Sequence, residues 1–305
     1  MKNVDELLEH CTLCPRECGV SRAQAAGFCK MGANVRAARA ALHLWEEPCI
    51  SGTRGTGAVF FSGCTLRCCF CQNKALSAQG FGRDISQNRL ESILLELEQQ
   101  GAQSISLISP TPFAAHIAQV LEKVRPRLSV PVVYNTGGYE KTATLKMLDG
   151  LIDVYLPDLK YQSAELSARY SAAPDYFARA SEAIREMARQ SGPPVFASDG
   201  ILTRGTLVRH LVLPGAWRDS VQLMRWIVGQ FPGGRVLVSL MSQYTPSFAG
   251  ADFPELGRRV TTFEYKKVLS CVYELGLEGY WQERSSADEG YTPAFDLTGI
   301  GPETV

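Results

Sequence analysis

The sequence lacks several features that would assign it to common functional classes. Among its 305 residues, Lys and Arg together number 31, and Asp and Glu together also number 31. There is thus no basic excess of the kind that favours nucleic-acid or membrane-surface binding. No apolar stretch approaches the roughly 20 residues of a membrane-spanning helix, and the first six residues contain no signal-peptide apolar region. These absences predict a cytoplasmic protein that binds neither nucleic acid nor membranes.

Motifs of nucleophilic hydrolases and nucleotide-binding proteins are also missing. Only four histidines occur, and none stands in an evident nucleophile–base constellation. His210 lies within a predicted strand, so its side chain points either to the interior of the barrel or to the opposite face of the sheet. The glycine-rich run at 52–57 precedes a strand instead of linking a strand to a helix, so it fails the structural context of a dinucleotide-binding loop.

Strand and helix patterns alternate about six times between residues 57 and 275. Strands are predicted at 58–61, 105–108, 130–134, 152–156, 207–213 and 235–240, and helices near 86–100, 113–125, 140–149, 174–190, 219–230 and 261–275. The strands are continuous apolar runs, which indicates a parallel sheet covered by helices on both faces. A barrel, a partial barrel and an open doubly wound sheet all fit this pattern. Each places the active site at the carboxyl ends of the strands.

Ten cysteines are the unusual feature of the composition, and eight of them fall in two clusters, at 11–29 and 64–71. In a cytoplasmic chain of this size, clustered cysteine favours metal ligation over disulfides. Cys49 and Cys271 stand alone, and we predict that they are small buried hydrophobic residues.

The second cysteine cluster reads GCTLRCCFCQN over residues 63–73 and directly follows the first predicted strand. Cys64, Cys68 and Cys71 have a spacing that lets one loop wrap three thiolates round one iron–sulfur cubane. The fourth iron then lacks a protein ligand and is open to chelation by a substrate or cofactor. A zinc site with a fourth ligand from elsewhere is the alternative, although zinc sites more often use paired Cys-x2-Cys units. Cys69 is predicted to point away from the cluster.

This motif, with Phe70 before its last cysteine, resembles the radical SAM superfamily. The stretches CTLCPRECGV, WEEPCISGTRGTGAVFFSGC, CFCQN, VYNTGGYE, VYLPDLKY, RHLVLPG and MSQYTP extend the resemblance over nearly the whole chain, to the pyruvate formate-lyase activating enzyme-like group. The resemblance implies an α/β fold with a partial (β/α)6 TIM-like barrel. It also implies an oxygen-sensitive [4Fe–4S] cluster whose open iron binds S-adenosylmethionine (SAM). Reductive cleavage of SAM then yields a 5′-deoxyadenosyl radical that abstracts hydrogen from a substrate.

The resemblance also implies where SAM is held. Phe70 would lie beside the adenine, and Asp158 and Lys160 match an Asp-x-Lys element, in which a lysine can pair with the SAM carboxylate. Asn135 ends the third strand, in a segment that suits SAM or substrate and equally suits a helix-starting turn. The group's Gly-Gly-Glu element is absent from 108–112, so the hydroxyls of Ser109 and Thr111, or backbone groups, would take the SAM amino group.

The first cysteine cluster supplies four thiols within nineteen residues: Cys11, Cys14, Cys18 and Cys29. Four thiolates can close a tetrahedral zinc site or ligate a second, auxiliary [4Fe–4S] cluster, and the residues alone leave both open. Metal binding would help so short a segment to fold. Arg16 and Arg22 either donate hydrogen bonds to sulfur or are solvated.

These patterns divide the chain into three parts: a Cys-rich N-terminal module at 1–49, a radical SAM core at 50–245, and a C-terminal helix and tail at 246–305, with the tail a loose arm or a lid. An external electron donor such as flavodoxin or ferredoxin is implied. Two functions compete within the class: an activase that acts on a glycine of a glycyl radical enzyme, and an enzyme that acts on a small molecule or peptide. A non-catalytic iron–sulfur or zinc protein is the rival outside it.

Overall fold

The computed structural model describes residues 4–249, 251–282 and 292–301. Its helices are α1 (Val4–Glu9), α2 (Pro48–Ser51), α3 (Lys74–Ser77), α4 (Gln87–Gln99), α5 (Ala114–Val124), α6 (Thr142–Leu145), α7 (Ala164–Ser171), α8 (Tyr176–Ser191), α9 (Trp217–Gln230) and α10 (Thr262–Glu274). Its strands are β1 (Val35–His43), β2 (Thr56–Phe61), β3 (Arg83–Ile85), β4 (Ile105–Ile108), β5 (Val132–Thr136), β6 (Val154–Pro157), β7 (Val195–Phe196), β8 (Leu202–Leu211), β9 (Leu237–Met241) and β10 (Gly279–Trp281).

One curved sheet contains all of these strands, in the order β10-β9-β8-β6-β5-β4-β2-β1-β3, with β7 paired to β8. The strands from β2 to β10 in this order are parallel to their neighbours, and β1, β3 and β7 pair antiparallel. Because β10 and β3 lie at opposite ends of the order, the barrel is partial. The six predicted strands correspond to β2, β4, β5, β6, β8 and β9, and each predicted helix overlaps an observed one.

Helices cover the outer face of the sheet because each presents an apolar stripe to it. Along α4, Leu90, Ile93, Leu94 and Leu97 recur at helical spacing and are buried in one core with β4 and β5 residues. The helix begins at Ser86, whose side chain accepts a hydrogen bond from the backbone N–H three residues on.

The inner face of the barrel is apolar at one end and polar at the other. Side chains of a strand alternate between faces, so Leu207 points inward, Val208 packs outside, and Arg209 points inward again. The inward apolar tier is closed by Cys49 and Ile50 of α2. Cys49 is 1% exposed and Cys271, on α10, is 7% exposed, which confirms both as buried packing residues.

Residues outside the predicted core also join the sheet. The strand β1 belongs to the predicted module 1–49, yet it pairs with β2, and β10 of the C-terminal part extends the sheet beyond β9. The three-part division itself stays a prediction. Within the described part of the tail, Leu297 and Thr298 bond to the backbone of β1, while the stretches 283–291 and 302–305 lie outside the described residues. None of the described helices is long and apolar enough to cross a membrane.

Candidate active site

A cavity of about 700 Å³ opens at the carboxyl ends of the parallel strands. It brings together the three predicted cluster ligands and all but one of the residues predicted for SAM: Cys64, Cys68, Cys71, Phe70, Ser109, Asn135, Asp158 and Lys160. These residues come from the loop after β2 and from the ends of β4, β5 and β6. The parallel sheet places them side by side because the same end of each strand meets at one edge.

The loop after β2 holds three thiols that line the cavity. Each sulfur atom accepts one hydrogen bond. The Ser171 hydroxyl donates to Cys68 at 3.0 Å, and the Ser77 hydroxyl donates to Cys71 at 3.3 Å. The backbone N–H of Leu66 donates to Cys64 at 3.4 Å. Burial, together with the neighbouring Cys68 and Cys71, raises the pKa of the Cys64 thiol to about 12.

A glycine begins this loop for a steric reason. Gly63 has φ of +80°, and a Cβ there would lie 2.4 Å from Met31 Cγ and 2.8 Å from the Cys29 carbonyl oxygen. Only a residue without a side chain adopts this conformation at so close an approach. The cluster-binding loop therefore starts in direct contact with the N-terminal cysteine segment.

The side chains of Phe70 and Cys69 point in different directions, as the sequence indicated. The Phe70 ring lines the cavity and meets the Tyr244 ring edge-on at 6.1 Å between centroids. Cys69 is not among the cavity residues, its backbone N–H donates to Tyr170 at 2.8 Å, and it packs against the outer core.

A tier of buried charged side chains lines the same cavity as the thiols. The carboxylate of Asp158 accepts hydrogen bonds from Lys160 Nζ at 2.5 Å and from Arg209 Nε at 2.9 Å. Arg209 also donates to Asn135 Oδ1 at 2.6 Å and to Glu46 Oε2 at 3.3 Å. Asn135 Nδ2 in turn lies 3.2 Å from both Glu46 carboxylate oxygens.

Two opposing effects determine the pKa values in this tier: burial disfavours the charged form of each group, and a neighbouring opposite charge favours it. Burial alone would raise the pKa of Asp158, but Arg209 and Lys160 outweigh it and hold that pKa below its usual range. For Lys160, burial lowers the pKa, whereas Asp158 and the Cys68 thiol raise it above its ordinary value. Glu46 differs, because burial raises its pKa to about 7 despite the opposing effect of Arg209.

Glu46, Glu47 and Arg209 were missed as site residues by the sequence predictions. Arg209 could have been predicted from the sequence. Side chains alternate between the two faces of a strand, so Arg209 lies on the same inward face of β8 as Leu207 and Leu211. The two glutamates enter from the turn between β1 and α2. Glu47 has a buried carboxylate oxygen, Oε2, with no hydrogen-bond partner.

Of the two orientations left open for His210, the structure shows the outward one: its Nδ1 lies 2.6 Å from the Leu159 carbonyl oxygen and its Nε2 lies 2.8 Å from Ser220 Oγ, on the helix-covered side of β8. Thr111 is not among the cavity residues, since its hydroxyl donates to Glu140 and it lines a second, smaller cavity. Of the two predicted hydroxyls, Ser109 alone lines the large cavity.

The smaller cavity lies among the N-terminal cysteines and has a volume of about 10 Å³. Its lining includes all four of them: Cys11, Cys14, Cys18 and Cys29. Among the described residues, no three His, Cys, Asp or Glu side chains are grouped as they would be round a single bound ion. The N-terminal metal site therefore stays a prediction at this point.

Comparison with known proteins supports the cluster and the fold. Residues 51–172, which contain Cys64, Cys68 and Cys71, match the family model of a 4Fe-4S single cluster domain. This match confirms the predicted [4Fe–4S] cluster. The uncharacterized protein MJ0674 of Methanocaldococcus jannaschii is 24% identical over 282 residues, which cover 89% of this chain and 77% of that protein.

Solved structures with a similar fold have low sequence identity. A cysteine-to-alanine mutant of spore photoproduct lyase superposes with a TM-score of 0.51 at 11% identity, covering 76% of this chain and 78% of that one. Streptococcus suis SuiB bound to S-adenosylmethionine gives a TM-score of 0.48 at 14% identity, covering 72% of this chain. The chain spans about half the length of SuiB, at 47%. The predicted α/β fold with a partial TIM-like barrel is confirmed.

Proposed function

We propose that this chain is a radical SAM enzyme. The observation that carries the proposal is that three thiols on one loop and a buried charged tier line the same cavity, at the carboxyl ends of parallel strands. When bound, the cluster supplies the electron that cleaves SAM reductively to a 5′-deoxyadenosyl radical, which abstracts hydrogen from the substrate.

The three thiols suit a cluster with one open iron. No fourth cysteine is among the described residues that line the large cavity. Each thiol already has a hydrogen-bond donor, and donors to sulfur stabilise thiolates and tune cluster potential. The ammonium of Lys160 adds a positive charge beside Cys68. Buried thiols with raised pKa values are poor ligands until a metal displaces their protons, so cluster binding releases protons.

The polar tier suits the two ends of an amino acid such as that of SAM. Lys160 is the cation for the carboxylate, and the acceptors for the ammonium group, which line the same cavity, are Asn135 Oδ1, Asp158 and the Ser109 hydroxyl. Apolar residues complete the wall and keep water from the reacting atoms: Leu66, Leu76, Ile108, Leu211, Leu213 and Met241.

For the substrate, we propose a small molecule or a peptide end. The cavity volume lies within the usual range for small-ligand sites, roughly 300–1,000 Å³, and SAM would occupy a large share of it. Segments from both terminal regions also line it, including Trp45 from the turn after β1 and Thr292 and Pro293 from the tail. These contributions suit a covered cavity better than the open groove that an extended glycyl-radical loop requires.

The activase remains the second candidate, because Asp158 and Lys160 match the Asp-x-Lys element of the activating enzymes. Either function needs an external one-electron donor of the flavodoxin or ferredoxin type, and a cytoplasmic, anaerobic setting belongs to the proposal.

The test is an anaerobic assay of 5′-deoxyadenosine. The chain is reconstituted with iron and sulfide, reduced, and mixed with SAM. Wild type should release 5′-deoxyadenosine, and Cys64→Ala should lose both the cluster absorbance and the product. Cys69→Ala is the matched control, since Cys69 lies in the same loop outside the cavity, and it should retain both. The proposal would be refuted if Cys64→Ala still cleaved SAM. It would also be refuted if the wild-type cluster could be reduced but its EPR spectrum did not change when SAM was added.

A further inference from the structure

We propose that Cys11, Cys14, Cys18 and Cys29 hold a second metal centre, ligated by four thiolates, that braces the loop of the catalytic cluster. The centre itself stands independently of the proposed function, whereas the bracing role rests on it. Three observations support it: all four cysteines line one small cavity, a buried guanidinium beside them has no carboxylate partner among the described residues, and hydrogen bonds join the two cysteine segments.

The backbone brings the N-terminal cysteines to the lining of one cavity. The N–H of Cys11 donates to Val20 and the N–H of Gly19 donates back to Cys11, both at 3.0 Å, which closes the segment into a knuckle. A turn from Cys14 to Glu17 lies at its tip. The later Cys29 reaches the same small cavity, so that all four sulfur-bearing residues line it together. Metal binding would draw these sulfur atoms onto one centre.

Arg22 provides a buried positive charge at this cavity. The residue is 3% exposed and lines the cavity with the four cysteines. Its Nε donates to Gly32 at 2.9 Å and a terminal nitrogen donates to Pro112, both through carbonyl oxygens, while its other terminal nitrogen is buried with no partner. None of the described ion pairs includes it. Of these observations, the unpartnered nitrogen points most directly to a ligand.

A buried guanidinium without an anion is strongly unfavourable. Four neutral thiols would leave the Arg22 guanidinium with two carbonyl oxygens and the face of the Phe113 ring, 5.4 Å from the ring centroid, but with no anion in the described part of the chain. Four thiolates round a divalent zinc ion carry a net charge of minus two, and four thiolates round a [4Fe–4S] core are likewise anionic. The positive charge of Arg22 therefore fits an anionic tetrathiolate centre and explains why an arginine is tolerated there.

Two arginines and one phenylalanine join this centre to the catalytic loop. Arg16, which lies between Cys14 and Cys18, donates to the Thr65 carbonyl oxygen at 2.8 Å. In the other direction, Arg67 donates to the Phe28 carbonyl oxygen at 2.9 Å. The Phe28 ring packs against both guanidinium groups, 4.0 Å from Arg16 and 4.5 Å from Arg67.

These contacts couple the order of the two segments. Thr65 and Arg67 lie between the first and second cluster ligands, and Phe28 immediately precedes the fourth thiol of the N-terminal set. Metal at the N-terminal site fixes Arg16 and Phe28, which then hold the catalytic loop. Loss of that metal should loosen the loop and expose its cluster.

The first experiment counts metal in a chain that cannot bind the catalytic cluster. The variant Cys64→Ala/Cys68→Ala/Cys71→Ala is purified anaerobically, reconstituted with iron and sulfide or with zinc, and analysed for both metals. We expect one tetrathiolate centre per chain: about one zinc, or about four irons with sulfide. The further change Cys14→Ser should abolish it, whereas Cys271→Ser, at a buried cysteine far from this cavity in sequence, should not. A folded triple variant that retains neither metal would overturn the proposal whatever the outcome of the SAM assay.

The second experiment tests the brace in the wild-type background. Arg16→Gln leaves all seven ligand thiols in place and removes the charged donor to Thr65, so the chain should retain the N-terminal metal. Its catalytic cluster should be lost to a chelator about tenfold faster than in wild type, as expected for a lost charge-assisted hydrogen bond. The matched control is Arg36→Gln, an exposed arginine of β1 paired to Asp84, which should leave the rate unchanged. Equal rates for Arg16→Gln and wild type would refute the bracing role.

Discussion

Replacing Arg209 with methionine should destabilise the fold more than any other single change in the charged tier. The arginine side chain is 16% exposed, and it joins three partners that come from the turn after β1 and from the ends of β5 and β6. Methionine fills a similar volume but donates no hydrogen bond. The variant would leave the carboxylates of Asp158 and Glu46 in the barrel without their shared cation.

The expected loss is about 3 kcal/mol of unfolding free energy at pH 8.5, the low end of the range for removing one partner of a buried ion pair. Two features keep this loss of unfolding free energy at the low end of the range. Asp158 keeps Lys160 at 2.5 Å, and Glu46 can take up a proton because its pKa is already raised to about 7. At pH 6 Glu46 is largely neutral, so its pairing with Arg209 contributes less, and the loss should be smaller by about 1 kcal/mol.

Anaerobic denaturant unfolding of the apo chain, followed by circular dichroism, measures both values. The matched control is Arg204→Met, an exposed arginine on the same strand whose Nε donates to the Ser191 carbonyl oxygen, and it should cost below about 1 kcal/mol. If Arg209→Met is as stable as wild type, or if its loss is the same at pH 6 and pH 8.5, the reasoning about the buried tier fails.

Three further predictions concern the same end of the barrel. Lys160→Met should weaken SAM binding to the reconstituted protein at least about tenfold, by loss of one charge-assisted contact; unchanged affinity in equilibrium binding would contradict the assignment. Burial raises the pKa of Glu46 from 4.5 to about 7, so the folded chain retains a proton that the unfolded chain has released, and this group lowers stability as pH rises from about 4.5 to about 7. Glu46→Gln should therefore lose stability less steeply than wild type over that window, and parallel pH profiles would argue against it. Gly138→Ala would place a Cβ 2.1 Å from the Asp158 carbonyl oxygen at φ of +78° and should cost over about 2 kcal/mol, whereas Gly101→Ala, at φ of +93° with open space, should cost only the conformational strain of about 1 kcal/mol; equal losses would show that the close approach is unimportant.

Most of the barrel could be predicted from the sequence because its signals are local. Each parallel strand is a short apolar run, and each covering helix repeats its apolar residues at helical spacing, so their order along the chain defines the fold class. The edge strands β3 and β10, together with β1 and β7, were not predicted. The strand β3 has only three residues and two of them are exposed, which gives almost no periodic signal, and β10 begins at a glycine and is equally short.

Candidate cluster ligands could likewise be predicted from sequence alone, since Cys64, Cys68 and Cys71 lie within eight residues and their spacing is itself the chemical signal. The structure places all three in one cavity. The orientation of β8 could not be assigned in this way. A run in which His210 follows Arg209 fits either face until the register with β9 and the position of α9 are known, and the structure turns the arginine inward and the histidine toward Ser220.

The sequence by itself thus predicted three cluster ligands and determined the fold class that holds them and the strand ends that lie near them. Those properties depend on spacing and periodicity along a short stretch of chain. Only the tertiary structure decided that Glu46 meets Arg209, 163 residues away, and that the N-terminal cysteine segment contacts the loop of the catalytic cluster through Arg16 and Phe28. Contacts of this kind leave no periodic trace, because they arise when the closing of the sheet brings distant turns to the same end of the barrel.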